Sequence, residues 1–228
     1  KTMKVFGDPS WEKFFLSRSW GKYPPEETIR FFMRAKNKIN HTPLCVLDIG
    51  CGMGASSWMM AKEGGRVTAF DGSPSGLSGV NRNAKEFGVL EEIETVLGDI
   101  TRPGAHLSQS YDIMLDQYSV YANPENRVIE AYREYFNLLK PAGQFLICGF
   151  GYGTTGWDGG RKVSEHSVAD IKEGVMRDTG IVSLFSLEEL KFILSSIGYQ
   201  IEYGEQIIEN RNGLCVDKHV IAVSRTDI

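Results

Sequence analysis

The sequence predicts an α/β domain, a doubly wound and mostly parallel sheet with helices on both faces. Three observations carry this. Strand-like apolar runs alternate with helical patterns from Val46 onward, which implies parallel strands joined by crossover helices. A glycine-rich turn, Gly50-Cys51-Gly52-Met53-Gly54, follows the first run. Four acids, Asp48, Asp71, Asp99 and Asp116, fall at the ends of consecutive strand patterns, and open α/β sheets bind ligands outside the carboxyl ends of their strands. The 228 residues suffice for one such domain with a full core.

The elements follow in order. Residues Trp11 to Asn37 are rich in aromatics and read as one or two helices joined at Pro24-Pro25. The first strand ends at Ile49, and a helix from Ala55 to Glu63 follows the glycine turn. Arg66 to Phe70 is a second strand closed by Asp71. Leu77, Val80, Ala84 and Phe87 have the 3-4-3 spacing of one helix face. Ile93 to Leu97 and Tyr111 to Gln117 are the third and fourth strands. Asn123 followed by Pro124 predicts an N-cap and first turn. The helix they begin shows Val128, Ala131, Tyr132, Tyr135, Leu138 and Leu139 on one face, with Pro141 and Gly143 ending it. Gln144 to Phe150 is a fifth strand. Residues 150–180 break the pattern and read as a long loop-rich insertion. Ser186 and Glu189 form a capping box ahead of the helical series Leu187, Leu190, Ile193, Leu194 and Ile197. Tyr199 to Ile208 and Leu214 to Ser224 are two closing strands.

The glycine turn is the centre of the functional argument. Glycines let the backbone turn tightly and approach a ligand closely, and the helix that follows offers free N–H groups to an anion. Gly50, Gly52 and Ala55 also satisfy the G-x-G-x-x-G/A dinucleotide fingerprint, so the glycines alone leave the ligand open. Asp71, about 20 residues on, stands where an acid hydrogen-bonds ribose hydroxyls. Asp99 could accept from an adenine amino group. An acid at a strand end is ordinarily a turn residue or cap; four in succession are harder to dismiss.

With those residues in place, the chain resembles class I S-adenosylmethionine-dependent methyltransferases of the small-molecule type. Val46 to Gly54 carries the resemblance, supported by Phe70-Asp71-Gly72-Ser73, Gly98-Asp99-Ile100 and Leu138-Leu139-Lys140-Pro141-Ala142-Gly143, over roughly residues 41 to 225. Family members usually have Gly-Gly where this chain has Ala142-Gly143. The position of Asp48 and the extra Gly54 favour this family over nicotinamide enzymes. The resemblance implies a Rossmann-like sheet of seven strands with the last antiparallel, preceded by an N-terminal helical lid over residues 1–40; the methyltransferase domain is 41–228, with a substrate-cap insertion at about 150–180. It implies S-adenosylmethionine as cofactor, its methionine part held by Asp48, Gly50, Cys51 and Gly52. The ribose falls to Asp71 with Gly72 and Ser73, and the adenine to Asp99 with Ile100. Asp116 and Gln117 complete the set at the fourth strand end; from the residues themselves, Trp20 and Tyr23, on a short amphipathic loop between two helices, are expected to reach the cofactor as a lid. Some relatives acting on catechols use a metal at that strand end; Asp116-Gln117 does not complete such a site, and no metal is expected.

Methyl transfer asks mainly for alignment and exclusion of water, and for an oxygen acceptor a base. Tyr118 and Tyr121 follow the fourth strand and are the pocket-lining candidates. His166 has a suitable intrinsic pKa for a base. In the insertion, Gly151-Tyr152-Gly153-Thr154-Thr155-Gly156 matches the dinucleotide letters, but no helix follows, so it is a decoy. Arg161 and Lys162 could meet an anionic acceptor or be a solvated basic pair.

Composition bounds the rest. Hydrophobic content of 42%, charged content of 24% and a net charge of −4 are those of an ordinary globular protein. No basic stripe favours nucleic acid. No apolar stretch is long enough to span a bilayer, and no secretory signal pattern is visible. Cys45, Cys51, Cys148 and Cys215 lack C-x-x-C spacing and fit a reducing, cytoplasmic compartment. His41, His106, His166 and His219 have no metal-ligand spacing. The expected partner is a small polar acceptor methylated on a hydroxyl of a sugar, nucleotide-linked or other biosynthetic intermediate, by a monomer or homodimer. The competing readings are an NAD(P)-dependent oxidoreductase and a non-catalytic cofactor-binding module.

Overall fold

The computed structural model describes residues 4–17, 21–39 and 41–226. Helices α1 (Pro9–Ser17) and α2 (Glu26–Lys38) precede the sheet. The repeating part then runs β1 (Leu44–Ile49), α3 (Ala55–Lys62), β2 (Gly65–Asp71), α4 (Pro74–Phe87), β3 (Ile93–Leu97), β4 (Tyr111–Gln117), α5 (Glu125–Leu138) and β5 (Leu139–Phe150). Three short strands follow, β6 (Arg161–Lys162), β7 (Ser167–Ala169) and β8 (Val182–Ser183), and then α6 (Leu187–Ile197), β9 (Tyr199–Arg211) and β10 (Leu214–Arg225). The main sheet has seven strands in the order β3-β2-β1-β4-β5-β10-β9. β1 to β5 are mutually parallel, and β10 runs antiparallel to both β5 and β9. The order reverses between β1 and β4, which opens a crevice above their carboxyl ends.

Strand alternation sorts the core into two layers. On one face Val46, Val67, Ile113, Leu115 and Leu146 pack with Phe31 and Phe32 of α2, Met59 and Met60 of α3, and Leu77, Val80 and Ala84 of α4. On the other, Leu47, Ile49, Phe70, Met114, Phe145 and Ile147 pack with Val128, Ala131, Tyr132 and Tyr135 of α5 and Leu190 and Leu194 of α6. Truncating a fully buried ring such as Phe32 would cost about 3–5 kcal/mol. Among the described residues no helix is long and apolar enough to cross a membrane.

Two local expectations are corrected. Asn123 does not cap α5. Pro124, at φ −58° and ψ 145°, is the N-cap and has no capping side chain, while Asn123 Nδ2 donates to the Val120 carbonyl. The cap comes from elsewhere: the Glu125 N–H donates to Ser167 Oγ at 3.1 Å. Nor do Pro141 and Gly143 end α5, which stops at Leu138 and passes directly into β5. Residues 140–143 instead loop out of the β4–β5 ladder, where the register shifts from Tyr111↔Leu139 to Ile113↔Gln144. Ser186 and Glu189 do form the capping box.

Residues 150–185 are more ordered than a loop. β6, β7 and β8 make a second sheet, and Trp157, Val168, Ile171, Met176, Val182 and Leu184 bury a third core against Tyr121 and Ala122. Ser167 Oγ and Ser183 Oγ are 2.7 Å apart, and Ser183 Oγ donates to the Asn123 carbonyl. These bonds stitch the insertion to the entry of α5.

Candidate active site

The glycine turn bends sharply enough to put β1, α3 and the β4 end around one space. Gly50, Gly52 and Gly54 have φ of 60°, 53° and 78°, a region closed to most side-chain-bearing residues. A Cβ on Gly50 would lie 2.3 Å from Ser119 Cβ, so only glycine fits against the loop after β4. Gly54 is the N-cap of α3 and supplies no side-chain cap, which leaves the first N–H groups of α3 open to a ligand.

Above this turn lies a cavity of about 560 Å³, within the usual range for a small-molecule site. Its wall brings together Tyr23, Asp48, Gly50, Cys51, Gly52, Asp71, Gly72, Ser73, Ile100, Gln117, Tyr118 and Tyr121, residues the sequence scattered over a hundred positions. Asp71 braces the site: Oδ2 accepts from the Gly52 N–H at 2.8 Å and Oδ1 from the Ser73 N–H at 2.7 Å. Ser57 Oγ donates to Asp48 Oδ2 at 2.5 Å. Gln117 Oε1 accepts from Ser56 Oγ, whereas its buried Nε2 has no hydrogen-bond partner among the described residues. Such an orphaned donor is rare in a folded protein, and this one belongs to a residue of the cavity wall.

Beside the glycine turn the electrostatics are one-sided. Burial pushes the Asp48 carboxyl up to about 7, against the opposing hydrogen bond from Ser57. Burial likewise raises Asp71 to about 6 and Asp116 to about 6. Among the described residues no cationic side chain acts on any of the three. Burying a charge without a partner is costly, so the site holds unneutralised negative potential suited to a cationic ligand.

Trp20 lies outside the described residues, and three other expected residues fall elsewhere. Asp116 does not line the cavity. It is fully buried, Oδ1 accepting from the Ser119 and Val120 N–H groups and Oδ2 from Tyr132 Oη, so it shapes the loop that carries Tyr118. Asp99 does not line it either; its Oδ1 accepts from the Thr101 N–H and hydroxyl, a local turn. His166 sits in the insertion away from the cavity wall. Its Nδ1 is 2.6 Å from Tyr152 Oη, which also donates to Glu189, and its ring stacks on Phe185. Tyr23 reaches the rim, but its ring is largely exposed and rests edge-on against Trp58 and Phe87. The basic pair is occupied as well: Arg161 pairs with Asp170 and Lys162 lies over Trp157. Gly151 and Gly153 of the decoy pack against Asp217.

Other wall residues were not anticipated. Val5, Phe6, Trp11, Glu12 and Phe15 of the N-terminal arm line the cavity. The Phe6 N–H donates to the Gly72 carbonyl at 2.9 Å, and Glu12 accepts from the Ser73 hydroxyl and from the Ser75 N–H and hydroxyl. Glu27 at the start of α2 and Arg211 and Lys218 of the β9–β10 hairpin complete the wall. No sequence pattern marks these contacts, because partners such as Glu12 and Ser73 lie 61 positions apart. Among the described residues no group of three or more His, Cys, Asp or Glu is placed to hold a metal.

A glycine turn, a strand-end acid bracing it and an electronegative crevice at the sheet's reversal point define a protein of the nucleoside-cofactor-binding α/β class. Residues 46–143 match the family model described as a methyltransferase domain. A sterol 24-C-methyltransferase of Debaryomyces hansenii is 23% identical over 187 residues, covering 80% of this chain and 46% of that protein. A ubiquinone biosynthesis O-methyltransferase of Cronobacter sakazakii is 30% identical over 113 residues, 49% of this chain and 44% of that protein. The chain thus spans less than half the length of these relatives. Among solved structures, an S-adenosylmethionine-dependent methyltransferase from Clostridium acetobutylicum superposes with a TM-score of 0.69 at 13% identity, over 96% of this chain and 97% of its own. The 1,6-didemethyltoxoflavin-N1-methyltransferase of Burkholderia thailandensis, solved with that substrate and S-adenosylhomocysteine, gives 0.62 at 18% identity, over 89% and 79%. The chain thus has the fold of the class I S-adenosylmethionine-dependent methyltransferases, and the methyltransferase-domain match lies on its residues 46–143.

Proposed function

We propose that this protein transfers a methyl group from S-adenosylmethionine to a small-molecule acceptor. The observation that carries the reading is the chemistry of the crevice: buried carboxylates with no cationic partner among the described residues, beside the open N-terminus of α3 and the orphaned Gln117 amide. A ligand bearing both a carboxylate and positive charge, with ribose hydroxyls, suits that combination. Two carboxylates in the wall beside the glycine turn oppose a pyrophosphate and so disfavour a nicotinamide dinucleotide.

In this reading Gln117 Nε2 and the first N–H groups of α3 face the cofactor's carboxylate. Asp48 and Asp71 hold its positively charged and hydroxylated parts, with Gly72 and Ser73 flanking the ribose. Ile100 walls the adenine side, with Asp99 adjacent. Cys51 serves through its backbone, and Tyr23 and the neighbouring arm restrict the mouth. When bound, the cofactor supplies an electrophilic methyl on a sulfonium. The chain's own contribution is to align the acceptor, remove its proton and exclude water. The acceptor is a small molecule with a hydroxyl oxygen to methylate. We place the protein in the cytoplasm, where its four free thiols stay reduced.

Calorimetric titration with S-adenosylmethionine, on the wild type and on Asp71→Ala, tests the reading. Micromolar binding that weakens strongly in the variant is expected. Absence of binding, or preference for NAD, would overturn it.

A further inference from the structure

The acceptor side of the cavity has a chemical character of its own. Tyr118 stacks on Phe150, with ring centroids 4.7 Å apart and planes 22° from parallel, and Tyr121 meets the same Phe150 edge-on at 5.2 Å and 88°. All three rings line the cavity, with Trp11 across from the N-terminal arm among its other wall residues. Tyr118 holds φ of 55°, a conformation that strains a residue carrying a Cβ. Its N–H donates to the Cys148 carbonyl at 3.0 Å, so the strained backbone keeps the ring against Phe150. Arg211 and Lys218 are the basic side chains on this wall, and both pair with Glu209. A phosphate or carboxylate on the acceptor would have to displace that pairing.

The cavity's carboxylates differ in how fully they are used. Asp8, Glu12, Asp48 and Asp71 each accept short hydrogen bonds from serine hydroxyls or backbone N–H groups. Among the described residues Glu27 accepts a single long one, 3.5 Å from Tyr118 Oη, at the limit of a real hydrogen bond. Its carboxylate therefore has acceptor capacity to spare beside the aromatic rings. Burial holds the Tyr118 and Tyr121 phenols well above their ordinary range, so these groups donate hydrogen bonds and do not take protons.

We propose that the acceptor is an uncharged aromatic hydroxyl compound, seated against Tyr118, Phe150 and Tyr121, with its O–H directed to Glu27. This narrows the acceptor expected from sequence, a sugar, nucleotide-linked or other biosynthetic intermediate, to an aromatic one, and it rests on the methyltransferase reading above. In the transfer, the acceptor oxygen forms its bond to the methyl carbon, and the carbon–sulfur bond breaks with its electron pair going to sulfur. The hydroxyl proton passes to a Glu27 carboxylate oxygen, so the sulfonium charge and the carboxylate charge disappear together.

Binding measurements test this without relying on turnover. The protein is saturated with S-adenosylhomocysteine and titrated with 2-naphthol, naphthalene and UDP-glucose. We expect 2-naphthol to bind, UDP-glucose not to, and Phe150→Ala to weaken 2-naphthol about tenfold while S-adenosylhomocysteine binds as before. We also expect the preference for 2-naphthol over naphthalene, about tenfold, to collapse in Glu27→Ala. Binding of UDP-glucose but not 2-naphthol, or 2-naphthol binding indifferent to Phe150→Ala, overturns the aromatic acceptor. A preference for the hydroxyl that survives Glu27→Ala overturns the role of Glu27. Failure of the wild type to bind S-adenosylhomocysteine is a different result and overturns the methyltransferase reading itself.

Discussion

Glu12 Oε1 accepts a hydrogen bond of 2.5 Å from Ser75 Oγ, and this contact fastens the N-terminal arm to the start of α4 beside the loop that ends β2. The same carboxylate takes up the Ser73 hydroxyl and the Ser75 N–H, and these bonds hold its pKa below the usual glutamate value despite the opposing effect of burial. Glu12→Ala is expected to release the arm and speed cofactor dissociation about fivefold, the kinetic equivalent of about 1 kcal/mol. Stopped-flow fluorescence of Trp11, which lines the cavity from the arm, reads this directly. An unchanged dissociation rate would mean that the arm does not retain the ligand.

The buried acids make the ligand-free protein sensitive to pH. Asp48, Asp71 and Asp116 are raised to about 7, 6 and 6, against about 3.9 in an unfolded chain. Between about pH 4 and 7 the folded state therefore binds more protons than the unfolded one, and stability is lost as pH rises through that window. Asp48→Asn should flatten the fall in melting temperature between pH 5 and 8. S-adenosylmethionine should raise the melting temperature more at pH 8 than at pH 5, because its positive charge is worth most when the acids are ionised. Equal ligand-induced shifts at the two pH values would contradict the proposed pairing of charge.

Gly50→Ala tests the loop geometry. The substitution places a Cβ at φ 60° and 2.3 Å from Ser119, and the strain and overpacking together should cost about 2–5 kcal/mol. Urea denaturation measures the loss. A cost under 1 kcal/mol would show that the loop after β4 yields freely.

Ser167→Ala removes the cap that the insertion lends to α5. The expected loss is about 1 kcal/mol, with faster hydrogen exchange confined to the amides of the first turn, residues 125–128. Uniform protection across that turn would mean that the Glu125 N–H finds another partner at no cost.

The sequence made the parallel part of the sheet legible because the carboxyl ends of β1 to β5 carry a local signal, an acid or a glycine at or directly after an apolar run. The same logic located Asp48, Asp71 and Gln117 in one wall. It did not separate out Asp99 and Asp116, which are absent from that wall, since a strand-end acid that caps its own turn reads identically to one that lines a cavity; their partners, Thr101 for one and Tyr132 for the other, distinguish them. His166 was singled out for its intrinsic pKa, yet its ring is spent on Tyr152 and Phe185. Glu12, Glu27 and Lys218 carried no signal because they reach the pocket from segments far along the chain, by tertiary packing alone. The order within residues 150–185 was hidden for a related reason: strands of two and three residues are too short to show a period.

The wall of the crevice is written in separable stretches of the gene. Asp48, the glycine turn, Asp71 and Ser73 fall within 26 consecutive codons inside the matched segment. Phe150, Arg211 and Lys218 come from beyond it, on the insertion's threshold and the closing hairpin. Mutation and selection can therefore remodel the part of the chamber formed by Phe150, Arg211 and Lys218 while the electronegative side is inherited intact, and a library confined to residues 150–160 and 205–218 would explore new acceptors without touching the turn that organises the sheet.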